Sequence, residues 1–176
     1  AMTLVPEMSH SASHVTMLQR SPTYVVSMPG EDALAKKLRS IFSSKVAYTL
    51  TRWKNVIFGL VFFTLSRKRP EKIKQWIIQG IREQLGKSYD VKKHFTPSYN
   101  PWDQRVCLVP DADLFKAIRN GKVSVVTDEI SRFTENGVLC ASGEELAADL
   151  IVTATGLNLQ VLGNIEVSGD GEALDL

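Results

Sequence analysis

The chain has 176 residues, 44% of them hydrophobic and 23% charged, the composition of a globular protein with a real core rather than of a disordered one. A formal net charge of +2 is too mild to call for a nucleic-acid partner. The only two cysteines, Cys107 and Cys140, are too far apart for a C-x-x-C redox pair or half of a tetrahedral zinc site, and they fit a reducing cytoplasm.

Ala1-Met2-Thr3-Leu4-Val5 reads as a helix already under way, with no N-cap ahead of it, as expected for an internal part of a longer protein. No basic stretch leads into an apolar one there, so no secretory leader is expected. After the polar connector 9–13, His14-Val15-Thr16-Met17-Leu18 reads as a short buried strand that stops at Ser21-Pro22. From Asp32 to Leu85 the apolar residues recur at helical spacing, and Pro70 marks a fresh helix start. Within this all-helical stretch, Val56 to Leu65 is almost wholly apolar and is flanked by Arg52, Lys54, Arg67, Lys68 and Arg69. A span needs about 20 apolar residues, so the run is read as a buried or interface helix, with peripheral contact to an anionic membrane as the second reading.

Phe95 to Arg105, with two prolines and several turn formers, reads as an ordered loop whose aromatics pack onto something. A short helix from Asp113 to Arg119, stopped by Gly121, leads into the strand Val123-Ser124-Val125-Val126. Glu135-Asn136-Gly137 turns between strand candidates Ile130–Phe133 and Val138–Cys140. Asp149 to Thr153 reads as a last buried strand, running into Ala154-Thr155-Gly156. The class is α/β with a hairpin element and no internal repeat.

Three places could carry chemistry. A strand ending in Gln19-Arg20-Ser21 puts a cation where a dinucleotide fold meets the adenosine ribose. There Arg20 would neutralise the 2′-phosphate of NADP and Ser21 would add a hydrogen bond. The competing reading is a solvated arginine, since no G-x-G-x-x-G precedes the strand. In Trp102-Asp103-Gln104-Arg105, Arg105 either stabilises an anion or braces its loop through Asp103 or the backbone. Ala154-Thr155-Gly156 lets backbone come close to a cofactor, as many strand ends do. His10, His14 and His94 have no metal-ligand spacing, and no Ser/His/Asp pattern stands out, so hydrolase and metalloenzyme readings fall away.

Three runs carry a resemblance. They are His14 to Tyr24 (HVTMLQRSPTY), Tyr99 to Arg105 (YNPWDQR) and Ile151 to Leu159 (IVTATGLNL). Together they resemble the FAD- and NADPH-dependent Baeyer–Villiger monooxygenases, most closely the ethionamide-activating subgroup, over nearly the whole chain. The resemblance implies a two-dinucleotide-binding-domain flavoprotein. Residues 1–30 and 95–129 would form parts of a Rossmann-like NADPH domain, 31–94 its helical insertion, and 130–176 the return toward the FAD domain. It implies that Arg20 and Ser21 hold the 2′-phosphate. Arg105 would sit over the flavin, stabilise the negative charge that develops there with O2 and help to position the nicotinamide. Ala154, Thr155 and Gly156 would link the domains near the cofactors. Gln104 stands where many members have a lysine that assists the 2′-phosphate, which weakens the expected preference for NADPH over NADH.

The implied activity is insertion of one oxygen atom of O2 into a ketone to give an ester or lactone, with thioether oxidation beside it. The segment on its own is expected to be inactive. The alternatives are a nitrogen- or sulfur-oxidising flavin monooxygenase and a non-catalytic remnant or interaction module that uses the helix around Phe58 to Phe63.

Overall fold

A computed structural model describes residues 2–158, 163, 165–170 and 172–174. Helix α1 (Leu4–Met8) precedes β1 (Val15–Gln19) and β2 (Tyr24–Met28). Helices α2 (Ala33–Ile41), α3 (Ser44–Lys68), α4 (Pro70–Leu85) and α5 (Val91–Phe95) follow. Then come β3 (Val106–Pro110), α6 (Asp113–Arg119) and β4 (Val123–Thr127). A three-stranded antiparallel sheet takes β5 (Ile130–Phe133), β6 (Gly137–Cys140) and β7 (Glu145–Ala147), and β8 (Val167–Gly169) pairs with β9 (Glu172–Leu174).

Two parallel pairings organise the core. β1 pairs with β4, Val15 opposite Val123 and Gln19 opposite Thr127. β2 pairs with β3, Tyr24 opposite Val106 and Met28 opposite Pro110. Each joins strands far apart in sequence, as parallel pairing requires. Neither β2 nor β3 is expected from the local pattern, because each is a five-residue run beside prolines with no clean alternation.

The helical starts follow the local chemistry. The Asp32 carboxylate accepts from Ala35 N at 3.0 Å and caps α2, and Asp90 does the same for α5 through Lys93 N at 3.0 Å. Pro70 opens α4, where a missing N–H costs nothing. Ile77, Ile81 and Leu85, four residues apart, make one buried face of α4. That face shares a single apolar cluster with Tyr24, Val25, Phe95, Val109, Leu114 and Phe115. Phe95 and Phe115 meet edge to face with centroids 5.7 Å apart. By contrast α3 buries only Ala47 and Ser66.

The hairpin Ile130–Cys140 forms as expected, with β7 added on its far side. The buried strand expected over Asp149–Thr153 does not form. Those residues are unpaired and exposed, Leu150 to 75%. No strand among the described residues lies beside them, and an apolar run becomes a buried strand only where a neighbour takes up its N–H and C=O groups.

Gly137 is where the small sheet allows no side chain. Its φ is 154°, and a Cβ there would lie 2.0 Å from the Leu146 carbonyl oxygen. Gly137→Ala is expected to cost about 2 kcal/mol or more, because the obstacle is backbone. Hydrogen exchange should then speed up across residues 130–147 and not in β1 or β4; unchanged exchange in the small sheet would contradict this.

Candidate functional site

The carboxyl end of β1 is fixed by a polar cluster. Gln19 Nε2 donates to the Thr127 hydroxyl at 2.9 Å and to the His94 carbonyl at 2.7 Å. His94 Nδ1 lies 2.9 Å from the same Thr127 oxygen. Because that oxygen already accepts from Gln19, its own proton is free to point at Nδ1, which suits a neutral imidazole. Asp128 N donates to the Gln19 carbonyl at 3.0 Å, and the chain leaves β1 into Arg20 and Ser21.

Both of those side chains are exposed, and Arg20 makes no ion pair among the described residues. The nearby Asp128 carboxyl is held below its ordinary value by its hydrogen bond to Ser142 and then by the Glu129 N–H.

Three residues beyond Arg20, Thr23 reaches the other predicted site. Its hydroxyl donates to the Arg105 carbonyl at 3.4 Å and lies 2.9 Å from the Tyr99 hydroxyl. Three Cα steps span at most about 11 Å. The parallel pairing of Tyr24 with Val106 therefore sets Arg105, with the exposed Gln104 before it, beside the start of β2, the edge that follows Arg20 and Ser21 in the chain. Tyr24 completes this closure. Its ring, wholly buried, meets Tyr99 edge to face at 5.3 Å, and its hydroxyl donates to the Tyr99 carbonyl at 2.6 Å. Burial, followed by the charge of Tyr99, pushes its pKa up to about 12, so it stays a donor throughout the physiological range.

Arg105 does not pair with Asp103. Asp103 instead holds Arg67 of α3 and accepts from Asn100 N at 3.3 Å. Trp102 sits at φ 70°, a left-handed conformation that costs a bulky residue roughly 1–3 kcal/mol. Its ring is edge-on to Phe62 and Phe63, with centroids 6.2 and 5.9 Å away. Trp102 thus packs on α3, and Arg105 is left exposed with its guanidinium in no ion pair among the described residues.

Ala154, Thr155 and Gly156 are not brought to this edge by any hydrogen bond among the described residues. They lie in no helix or strand and are exposed, with Gly156 at φ 100°. The contacts of Thr23, Tyr24, Thr127 and His94 have no local signal in the sequence, since every one spans more than 30 residues. A cleft of about 240 Å³ between β2 and α4 holds one ionisable side chain, Glu83, and contributes nothing to the site. Among the described residues no His, Cys, Asp and Glu cluster could hold a metal.

No protein-family model matches the chain. Comparison with curated proteins is decisive. The whole chain is 52% identical to a FAD-containing monooxygenase, EthA, of Mycobacterium tuberculosis. The chain is a relative of the FAD-containing monooxygenases. It is also 51% identical over 99% of its length to a probable FAD-binding monooxygenase, AlmA, of Acinetobacter baylyi. A putative FAD-containing monooxygenase, MymA, of M. tuberculosis is 44% identical over the full chain. The chain spans 36% of the length of EthA and MymA and 35% of AlmA.

Burial, then the Lys93 charge, holds the His94 pKa below 6.5, opposed by Asp90. The folded state therefore binds fewer protons than the unfolded one just below 6.5. The stability linked to neutral His94 is present above that pH and is lost as pH falls through the lowered value. The imidazole should titrate below 6.5 by NMR, and Thr127→Val should raise its pKa. An unshifted titration in the native protein would contradict the neutral assignment.

Proposed function

We propose that this chain is the NADPH-binding and flavin-facing part of an FAD- and NADPH-dependent monooxygenase. The reaction is transfer of one oxygen atom of O2 to a ketone, giving an ester or lactone. In this reading residues 1–30 and 95–129 belong to a Rossmann-like NADPH domain, 31–94 is its helical insertion, and 130–176 leads back toward the FAD domain. One observation supports the proposal: Arg20, just past parallel strand β1, and Arg105, just before parallel strand β3, are both exposed and in no ion pair among the described residues. The names of the relatives support the flavin and the oxygen chemistry, and the dinucleotide chemistry rests on Arg20.

The residues fit the phosphate end of NADPH. Arg20 stands just past a parallel strand, the place where such folds take their ligands. Its planar fork can grip a phosphate through two parallel hydrogen bonds, with the Ser21 hydroxyl as a third donor. Gln104 adds donors without charge, so the 2′-phosphate meets one fewer cation than a lysine there would give. The described residues build no FAD pocket; what they offer a flavin is Arg105 and the open backbone of Ala154 to Gly156. When bound, NADPH supplies the reducing equivalents and FAD activates O2.

Arg105 supplies fixed positive charge beside the reacting centre. Its loop is already seated by Trp102, Pro101 and the Tyr24–Tyr99 closure. The charge is therefore in position before negative charge develops, which is what makes such a group effective. Burial of the site by the rest of the protein would strengthen that interaction.

Arg20→Ala in the intact enzyme is expected to raise the KM for NADPH about 10- to 100-fold, the worth of one or two charge-assisted hydrogen bonds, and to leave the KM for NADH nearly unchanged. Equal effects on the two would refute the phosphate role. Arg105→Ala is expected to cut ester formation by about 100-fold or more while Tm stays within a few degrees of the native value. Retained oxygenation in that variant would refute the catalytic role.

A further inference from the structure

Helix α3 has two different surfaces. Toward the core, Phe62 meets Trp76 and Trp102 edge-on. On the other side Val46, Leu50, Trp53, Ile57 and Leu60 recur at steps of four and three, so they form one continuous stripe. All five are exposed, Trp53 to 60% and Leu60 to 64%. The α2–α3 junction adds Ile41 and Phe42, exposed to 62% and 46%. Apolar surface on this scale is not left to water without reason.

The charge pattern identifies the partner. Between Ala33 and Pro70 there are nine basic residues and no acidic one. Lys36, Lys54 and Arg67 pair with Glu31, Asp32 and Asp103, leaving the other six without an ion-pair partner among the described residues. A second copy of the same surface would set cation against cation, which disfavours self-association. Nucleic acid would satisfy the charge and leave the apolar stripe in water. An anionic bilayer satisfies both, by accepting apolar side chains between headgroups that attract lysine and arginine. No described helix is long and apolar enough to cross a membrane. The 25 residues of α3, about 37 Å at 1.5 Å per residue, would lie along the surface instead, with Trp53 suited to the headgroup level.

We propose that the α2–α3 surface docks this protein on an anionic lipid bilayer. The inference rests on the exposed helices alone and is independent of the cofactor reading. The test is co-sedimentation of the intact protein with vesicles of phosphatidylcholine, with or without a quarter of phosphatidylglycerol. Binding is expected to the anionic vesicles only, and to weaken about tenfold or more in 0.5 M NaCl, where the screening length shrinks to a few ångströms. Ile57→Ser with Leu60→Ser should lower binding about tenfold at unchanged Tm, and Arg52→Glu with Lys68→Glu should do the same.

Failure of the native protein to bind anionic vesicles would overturn the proposal. So would equal binding to neutral ones, or variants that bind like the native protein. A large fall in Tm, or a change in oligomeric mass, with the serine variants would mean that protein covers the stripe, either the remainder of the chain or a second copy, and would equally overturn it.

Discussion

The hydrogen bond from the buried Tyr24 hydroxyl to the Tyr99 carbonyl holds together what the sequence separates. It joins the first residue of β2 to the loop that returns from the helices, across 75 positions. Closing a loop of that length costs roughly 4 kcal/mol of chain entropy before any contact within it is counted. The parallel pairing of β2 with β3, the Tyr24–Tyr99 ring contact and the inner face of α4 together meet that cost. Everything at the candidate site follows from it, since Arg105 stands beside Thr23 only because Val106 stands beside Tyr24.

That dependence explains what could be read in advance. The helices are local objects, so their spacing, their aspartate caps and Pro70 are visible in the chain. The placing of Arg20 just past a strand is equally local. The nearness of Arg105 to Thr23 is not, because it arises from a pairing across 82 positions, and β2 and β3 each lack the alternation that marks a half-buried strand. Asp149 to Thr153 shows the converse. Its apolar run states a need for burial, whereas the partner that would meet the need is not among the described residues. The loop 95–105 was legible as ordered and aromatic, yet Asp103 was available to Arg105 by spacing alone and is taken by Arg67 of α3 in the structure.

The site is therefore a joint between two kinds of element. Rigid parallel strands set Arg20, and a loop clasped from one side by β2 and from the other by α3 sets Arg105. The histidine near this joint serves the scaffold. The His94 carbonyl and ring are both consumed in fastening α5 to the ends of β1 and β4.

Trp102 carries a consequence for the way the two faces of α3 communicate. Its left-handed backbone is tolerable only while Phe62 and Phe63 hold the ring and Arg67 holds the next residue. Three residues further on is Arg105. The same helix that clamps this strained turn presents its opposite side outward, so any force that tilts or slides α3 is delivered to the turn. The turn thus links the packing of α3 to the backbone that leads into Arg105, the residue to which the proposed function gives the developing negative charge.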